Sequence, residues 1–127
     1  MNGYWDSHWK WPDEGKVKVV GLSRETRALD FVNLAPVDDF KVYLENEPHN
    51  PVNKNARKIM ACATVNGNFV SKHIGYLPDE IATKYAGIEL DIRPRRAFLP
   101  TSFDLNLGLE IALLVRSARY TKRKNKA

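Results

Sequence analysis

Few residues of this sequence have the types and spacing for catalysis. His8, His49 and His73 stand too far apart in sequence, and too irregularly, for metal-ligand spacing. Cys62 is the one cysteine and sits mid-strand, the usual place of a buried, inert thiol. Asp38-Asp39 precedes a strand and reads as a turn. Gly67, Gly75, Gly87 and Gly108 never gather into a phosphate-binding loop. No nucleophile, base and orienting group can be assembled from these residues. The expectation is a chain that is not an enzyme and uses no cofactor or metal.

Binding chemistry is better represented. In the stretch Glu47-Pro48-His49-Asn50-Pro51-Val52-Asn53-Lys54-Asn55-Ala56, two prolines stiffen the backbone and three asparagines can each close an Asx-turn. Such a loop either satisfies its own polar groups as a connection between strands or presents them at fixed positions to a ligand. Arg93, Arg95 and Arg96 flank Pro94, close to Phe98 and Phe103. Arginines beside aromatics suit phosphates and stacked bases, but taken alone these arginines read first as a solvated hairpin tip.

Charge is distributed unevenly around these candidates. Residues 1–92 carry 11 Lys and Arg against 13 Asp and Glu, and residues 93–127 carry 9 against 2. Lys122, Arg123, Lys124 and Lys126 crowd the last eight residues. The asymmetry points to a polyanion partner or to a solubilising tail. Lys122, Arg123 and Lys124 are expected to supply non-specific phosphate contacts, with Arg93, Arg95 and Arg96 nearer an ordered site.

The chain has 127 residues, 43% of them apolar and 28% charged, which suits one soluble domain. No run approaches 18 uncharged apolar residues, and the N-terminus lacks a basic segment followed by an apolar one. A cytoplasmic, or at least intracellular, location is expected, with no membrane contact. A lone cysteine excludes a disulfide framework.

The elements that must position these residues follow from periodicity. Residues 1–16 carry Trp5, Trp9 and Trp11 without a clear period. They read as an irregular arm that packs on the body or offers its aromatics to a protein partner. Residues 17–22 alternate and read as a first strand, and Ser23 is a candidate cap for a helix over 24–34 closed by Pro36. Phe40, Val42 and Leu44 mark a half-buried strand, and residues 59–65 another. Asn66-Gly67 is the preferred pair for a type I′ turn, with a return strand to about Leu77 and a bulge near Ser71-Lys72. Pro78, Asp79 and Glu80 start a helix over 78–86 that Gly87 stops. Ile88, Leu90 and Ile92 alternate, as do residues 105–115. The predicted core includes Val19, Val42, Leu44, Ile59, Ile81, Leu109 and Ile111. The fold class is α+β, mainly β: a small SH3/OB-like β-barrel of five to six strands with two short helices. Residues 17–119 form the barrel domain and residues 120–127 a basic tail.

The order of motifs resembles the HIRAN domain, found at the N-terminus of some SNF2-type helicases and as stand-alone bacterial or phage proteins. Val19-Val20-Gly21-Leu22, Val42-Tyr43-Leu44, the loop 47–56, Ile74-Gly75-Tyr76-Leu77-Pro78 and Ile81-Ala82 carry the resemblance, over about residues 17–116. It implies a barrel related to SH3-like and OB folds that binds DNA, in the helicase members a single-stranded 3′ end. The pocket there lies between the first-strand exit and the Asn-Pro loop, with aromatic rings on the terminal bases and an acidic side chain on the 3′-hydroxyl. Where the family often has Tyr-Asp, this sequence has Val52-Asn53, and Ser23, Arg24 and Glu25 replace aromatics after the first strand. Val52 cannot stack a base, Asn53 can accept a hydroxyl proton only without charge assistance, and Arg24 can stack its guanidinium in place of a ring.

Two functions from different classes are therefore expected. One is a non-catalytic nucleic-acid-binding module, for single-stranded DNA or DNA ends, with Arg24, Asn50, Val52, Asn53, Lys54, Asn55 and Tyr76 at the site. In it Asn50 is chiefly structural, while Asn53 and Lys54 face the ligand. The alternative is a protein-interaction or inhibitor module that keeps the barrel without the pocket.

Overall fold

A computed structural model describes residues 9–12, 14–24, 26–102 and 106–116. Its elements in chain order are β1 (Trp9–Lys10), β2 (Lys16–Lys18), α1 (Arg27–Leu34), β3 (Lys41–Asn46), β4 (Arg57–Val65), β5 (Asn68–Tyr76), α2 (Asp79–Lys84), β6 (Leu90–Phe98) and β7 (Gly108–Arg116). The fold is mainly β, with two helices and two antiparallel sheets. In one sheet β7 pairs with β1, β2 and β6, and in the other the order is β3-β4-β5. The two sheets meet where β3 lies against β6, and at an isolated bridge. There Val20 and Tyr76 exchange N–H to O bonds of 3.0 and 2.9 Å.

Alternation decides which faces are buried. Along β7, Leu109, Ile111 and Leu113 point into the core, and along β4 Ile59, Ala61 and Ala63 do the same. Phe31 and Leu34 bring α1 onto β4 and β5, and the Phe31 ring meets Phe40 edge-on at 6.4 Å. Ile81 and Ala82 bury one side of α2. Of the predicted core, Leu44 alone is only half-buried, packed against the cluster from its rim.

The hairpin β4–β5 turns on Asn66 and Gly67, both at positive φ (52° and 81°), as a type I′ turn requires. The predicted bulge lies elsewhere. Ile59 pairs with Gly75 and Met60 with His73, so Ile74 is the extra residue, not Ser71 or Lys72. The first strand is shorter than predicted because the chain, after a last bond from Val19 N–H to Leu109 O of β7, turns to bridge β5 at Val20. Thr26, not Ser23, is the N-cap of α1, because the turn at Gly21–Arg24 intervenes. Pro78 caps α2 rather than occupying its first turn.

Two further expectations are corrected. Trp9 and Lys10, predicted in an irregular arm, extend the sheet by pairing with Arg116 and Val115. The Trp9 ring lies 5.1 Å from the Arg116 guanidinium, while Trp11 is exposed. Arg93, Arg95 and Arg96 are not a hairpin tip but lie within β6. Pro94 is accommodated by a register shift between Pro94 and Arg96, on a strand whose one ladder partner among the described residues is β7. Trp5, Phe103 and the tail with Lys122, Arg123, Lys124 and Lys126 lie outside the described residues. Among the described residues no helix is long and apolar enough to cross a membrane.

Candidate nucleic-acid interface

The loop 47–56 joins β3 to β4 and is tied by its own side chains. Asn50 Oδ1 accepts the N–H of Val52 at 2.9 Å and of Asn53 at 3.0 Å, and Asn50 Nδ2 donates to Glu47 Oε1 at 2.6 Å. Asn53 Oδ1 accepts the Asn55 N–H at 2.9 Å. These are the Asx-turns that the asparagine spacing offers. Glu47 anchors them to β5, since the Tyr76 hydroxyl donates to it at 2.8 Å, and Lys58 reaches it at 3.6 Å. The hydrogen bond from Asn50 above all, then the Tyr76 hydroxyl and Lys58, holds the Glu47 carboxyl below the usual range, against the opposing effect of burial.

A cleft of about 460 Å³ opens between this loop and the turn after β2. Val20, Gly21, Arg24 and Arg27 line it on one side and Asn50, Val52 and Ala56 on the other, with Tyr76 and Asp79 between. Gly21 turns the chain at φ +74°, where a side chain would be strained, and a Cβ would stand 3.0 Å from Arg27 Nη1. That nitrogen donates to Gly21 O at 3.1 Å, and the Arg27 guanidinium lies 5.3 Å from the Tyr76 ring centroid. The Tyr76 ring in turn meets His73 edge-on at 4.8 Å. His73 Nε2 sits 2.8 Å from Gly75 O, so that nitrogen carries the proton and donates. Burial holds the His73 pKa below its usual value.

The predicted site residues fall into three places. Arg24, Asn50, Val52 and Tyr76 line the cleft, with Val52 83% exposed. Both ends of the Asn50 amide are engaged within the loop. Asn53 is not turned to the cleft. Its Nδ2 donates to Thr83 Oγ1 at 3.2 Å and to Asp79 Oδ1 at 3.4 Å, tying the loop to α2. Lys54 and Asn55 line a second cleft on the opposite side of the loop.

Arg93, Arg95 and Arg96 form the third group, and none lines the first cleft. Arg93 pairs with Asp91 at 2.6 Å, Arg95 with Glu110 at 3.4 Å, and the Arg96 guanidinium lies 4.8 Å from the Phe98 ring. Two residues at the clefts escaped the sequence reading. Arg27 opens α1 just after the turn that carries Arg24, and both line the first cleft. Arg57 keeps step with Ile59, Ala61 and Ala63, the inward set of β4. A charge at an inward position was the signal. Among the described residues no group of three His, Cys, Asp or Glu is arranged to hold a metal.

Compared with known proteins, the chain matches no family model, no curated protein and no solved structure.

Proposed function

We propose that this chain is a non-catalytic nucleic-acid-binding module of HIRAN type, acting inside the cell on single-stranded DNA or DNA ends. The observation that carries the reading is the cleft between the Gly21 turn and the Asn-Pro loop, where the resemblance puts its pocket. It offers two guanidiniums, Arg24 and Arg27, and one aromatic ring, Tyr76, to a strand of phosphates and bases. In this reading the two sheets are the halves of the small SH3/OB-like barrel. Asn53 holds the loop rather than a 3′-hydroxyl, so the strand is gripped by charge and stacking more than by its end. The basic tail adds phosphate contacts that carry no sequence information.

Titration of labelled single-stranded DNA at several salt concentrations tests this. Affinity is expected to fall linearly on a log–log plot, with a slope of about 0.7 per phosphate contact. Arg24→Ala is expected to flatten that slope by about one contact, and deletion of residues 121–127 by roughly two to four contacts. An intact chain that binds no nucleic acid at low salt overturns the proposal.

A second reading is favoured by exposed apolar side chains. Val52 on the loop and Phe69 at 71% exposure on β5 suit a protein partner. In that case binding hardly responds to salt.

A further inference from the structure

The outer face of the β7 sheet takes no part in the first cleft. On β7, Leu109, Ile111 and Leu113 point into the core, so Gly108, Glu110 and Ala112 face outward. Their ladder neighbours share that side. Lys16 and Arg93 flank Ala112, Lys18 and Arg96 flank Glu110, and Phe98 stands beside Gly108. Arg95, next to the register shift, joins them by pairing with Glu110. The face thus gathers Lys16, Lys18, Arg93, Arg95 and Arg96 around two carboxylates, Glu110 and Asp91, the second paired with Arg93. Lys16, Lys18 and Arg96 make no ion pair with a described residue. Like charges gather at a cost that a polyanion relieves.

Two aromatic rings border these cations, each against a glycine. A Cβ at Gly15 would stand 2.6 Å from Trp11 Cε3, so any other residue there would push the indole aside. Gly15 is itself fixed, its N–H donating to Pro12 O at 3.0 Å and its carbonyl accepting the Leu113 N–H of β7 at 2.8 Å. On this seat Trp11 keeps 56% of its surface exposed, and Lys16 and Arg95 line the same shallow cleft. Phe98 lies beside Gly108, where a Cβ would stand 3.5 Å from its Cδ2. The Arg96 guanidinium lies 4.8 Å from the Phe98 ring centroid, which holds it over the face.

We infer that this face is a second binding site for single-stranded nucleic acid, with one unpaired base stacked on Trp11 and the phosphates held by Lys16, Lys18 and Arg96. Cations alone fit any polyanion, but an exposed indole among them fits a ligand that carries flat apolar rings beside its phosphates. Lys16 and Lys18 stand about 7 Å apart along β2, close to the step between phosphates of an extended strand. The inference rests on the reading that the ligand is nucleic acid, and it does not require the Arg24–Tyr76 cleft to be a site. It also gives Arg96 and Phe98 a use on the strand where the structure puts them.

Fluorescence anisotropy tests this on the intact chain, at several salt concentrations, with a short labelled single strand and with the same strand made without bases. Trp11→Ala, an exposed change, is expected to weaken the base-bearing strand by about fivefold or more and to leave the baseless strand within about twofold. Lys16→Ala with Lys18→Ala is expected to flatten the salt slope by about 1.4 for both strands, two contacts at about 0.7 each. If Trp11→Ala fails to fold, the indole N–H signal of Trp11 in the intact chain decides by NMR, saturating with the base-bearing strand and not with the baseless one. A Trp11→Ala loss that is equal for both strands, or absent, overturns the inference, as does an unchanged salt slope in the lysine pair. If Arg24→Ala then still weakens binding, the first cleft stands without this face. If the intact chain binds neither strand at low salt, both proposals fall.

Discussion

The loop 47–56 and the β6–β7 hairpin are both rich in polar side chains, but they spend them on different things. In the loop, Asn50, Asn53 and Glu47 hold backbone that no regular ladder supports. In the hairpin the ladder and the apolar face of β7 hold the backbone, and Arg93, Arg95 and Arg96 lie over a frame already made. Polar groups are thus structural where regular hydrogen bonding is missing, and incidental to stability where it is complete. The same asparagine content would mean little on a strand.

Four measurements test the difference between loop and hairpin. The largest effect belongs to the hairpin's apolar face. Leu109→Ala, at a position 2% exposed, is expected to cost about 2–5 kcal/mol in denaturant unfolding. Next comes Asn50→Ala, expected to cost about 1–3 kcal/mol because the N–H groups of Val52 and Asn53 and the Glu47 carboxylate lose partners together. A cost near zero would show that the prolines alone hold the loop.

Acid comes third and acts on the loop. The Glu47 pKa is lowered on folding, so its contribution is full above the usual glutamate value of about 4.3 and is lost as pH falls below it. The protection factors of the Val52 and Asn53 amides, exchange rates taken relative to the intrinsic rate at each pH, are therefore expected to fall on acidification through that range, and Glu47→Gln to remove most of the dependence. Smallest is Arg95→Ala, whose exposed pair with Glu110 is worth less than about 0.5 kcal/mol. A larger loss would mean that the arginines of β6 hold the hairpin after all.

Legibility in the sequence followed the same divide. Strands with period-2 apolar patterns, the Asn66-Gly67 turn and both helices were readable because side-chain alternation and turn chemistry are local. The Asx-turns of the loop were readable too, because an Asx-turn reaches only two or three residues along the chain. The tie from Asn53 to α2 was not readable, because its partners, Asp79 and Thr83, arrive from another element and leave no mark on the loop's own sequence. The arginines of β6 were misplaced because Pro94 argues for a loop, and only the register shift beside it lets the strand continue. Arg57 was passed over because the predicted strand begins at Ile59, whereas β4 begins two residues earlier.

The bridge between Val20 and Tyr76 gives the molecule a hasp. Two hydrogen bonds cross there between chain segments that otherwise belong to different sheets, and both residues also line the first cleft. These two bonds can open without disturbing the β4–β5 or β6–β7 ladders, a local opening much cheaper than global unfolding. A ligand lodged between the Gly21 turn and the loop that binds only the closed bridge would hold both bonds shut. Occupancy of the cleft is thereby written into the lifetimes of two amide protons, those of Val20 and Tyr76, which act as a built-in gauge of whether the cleft is filled.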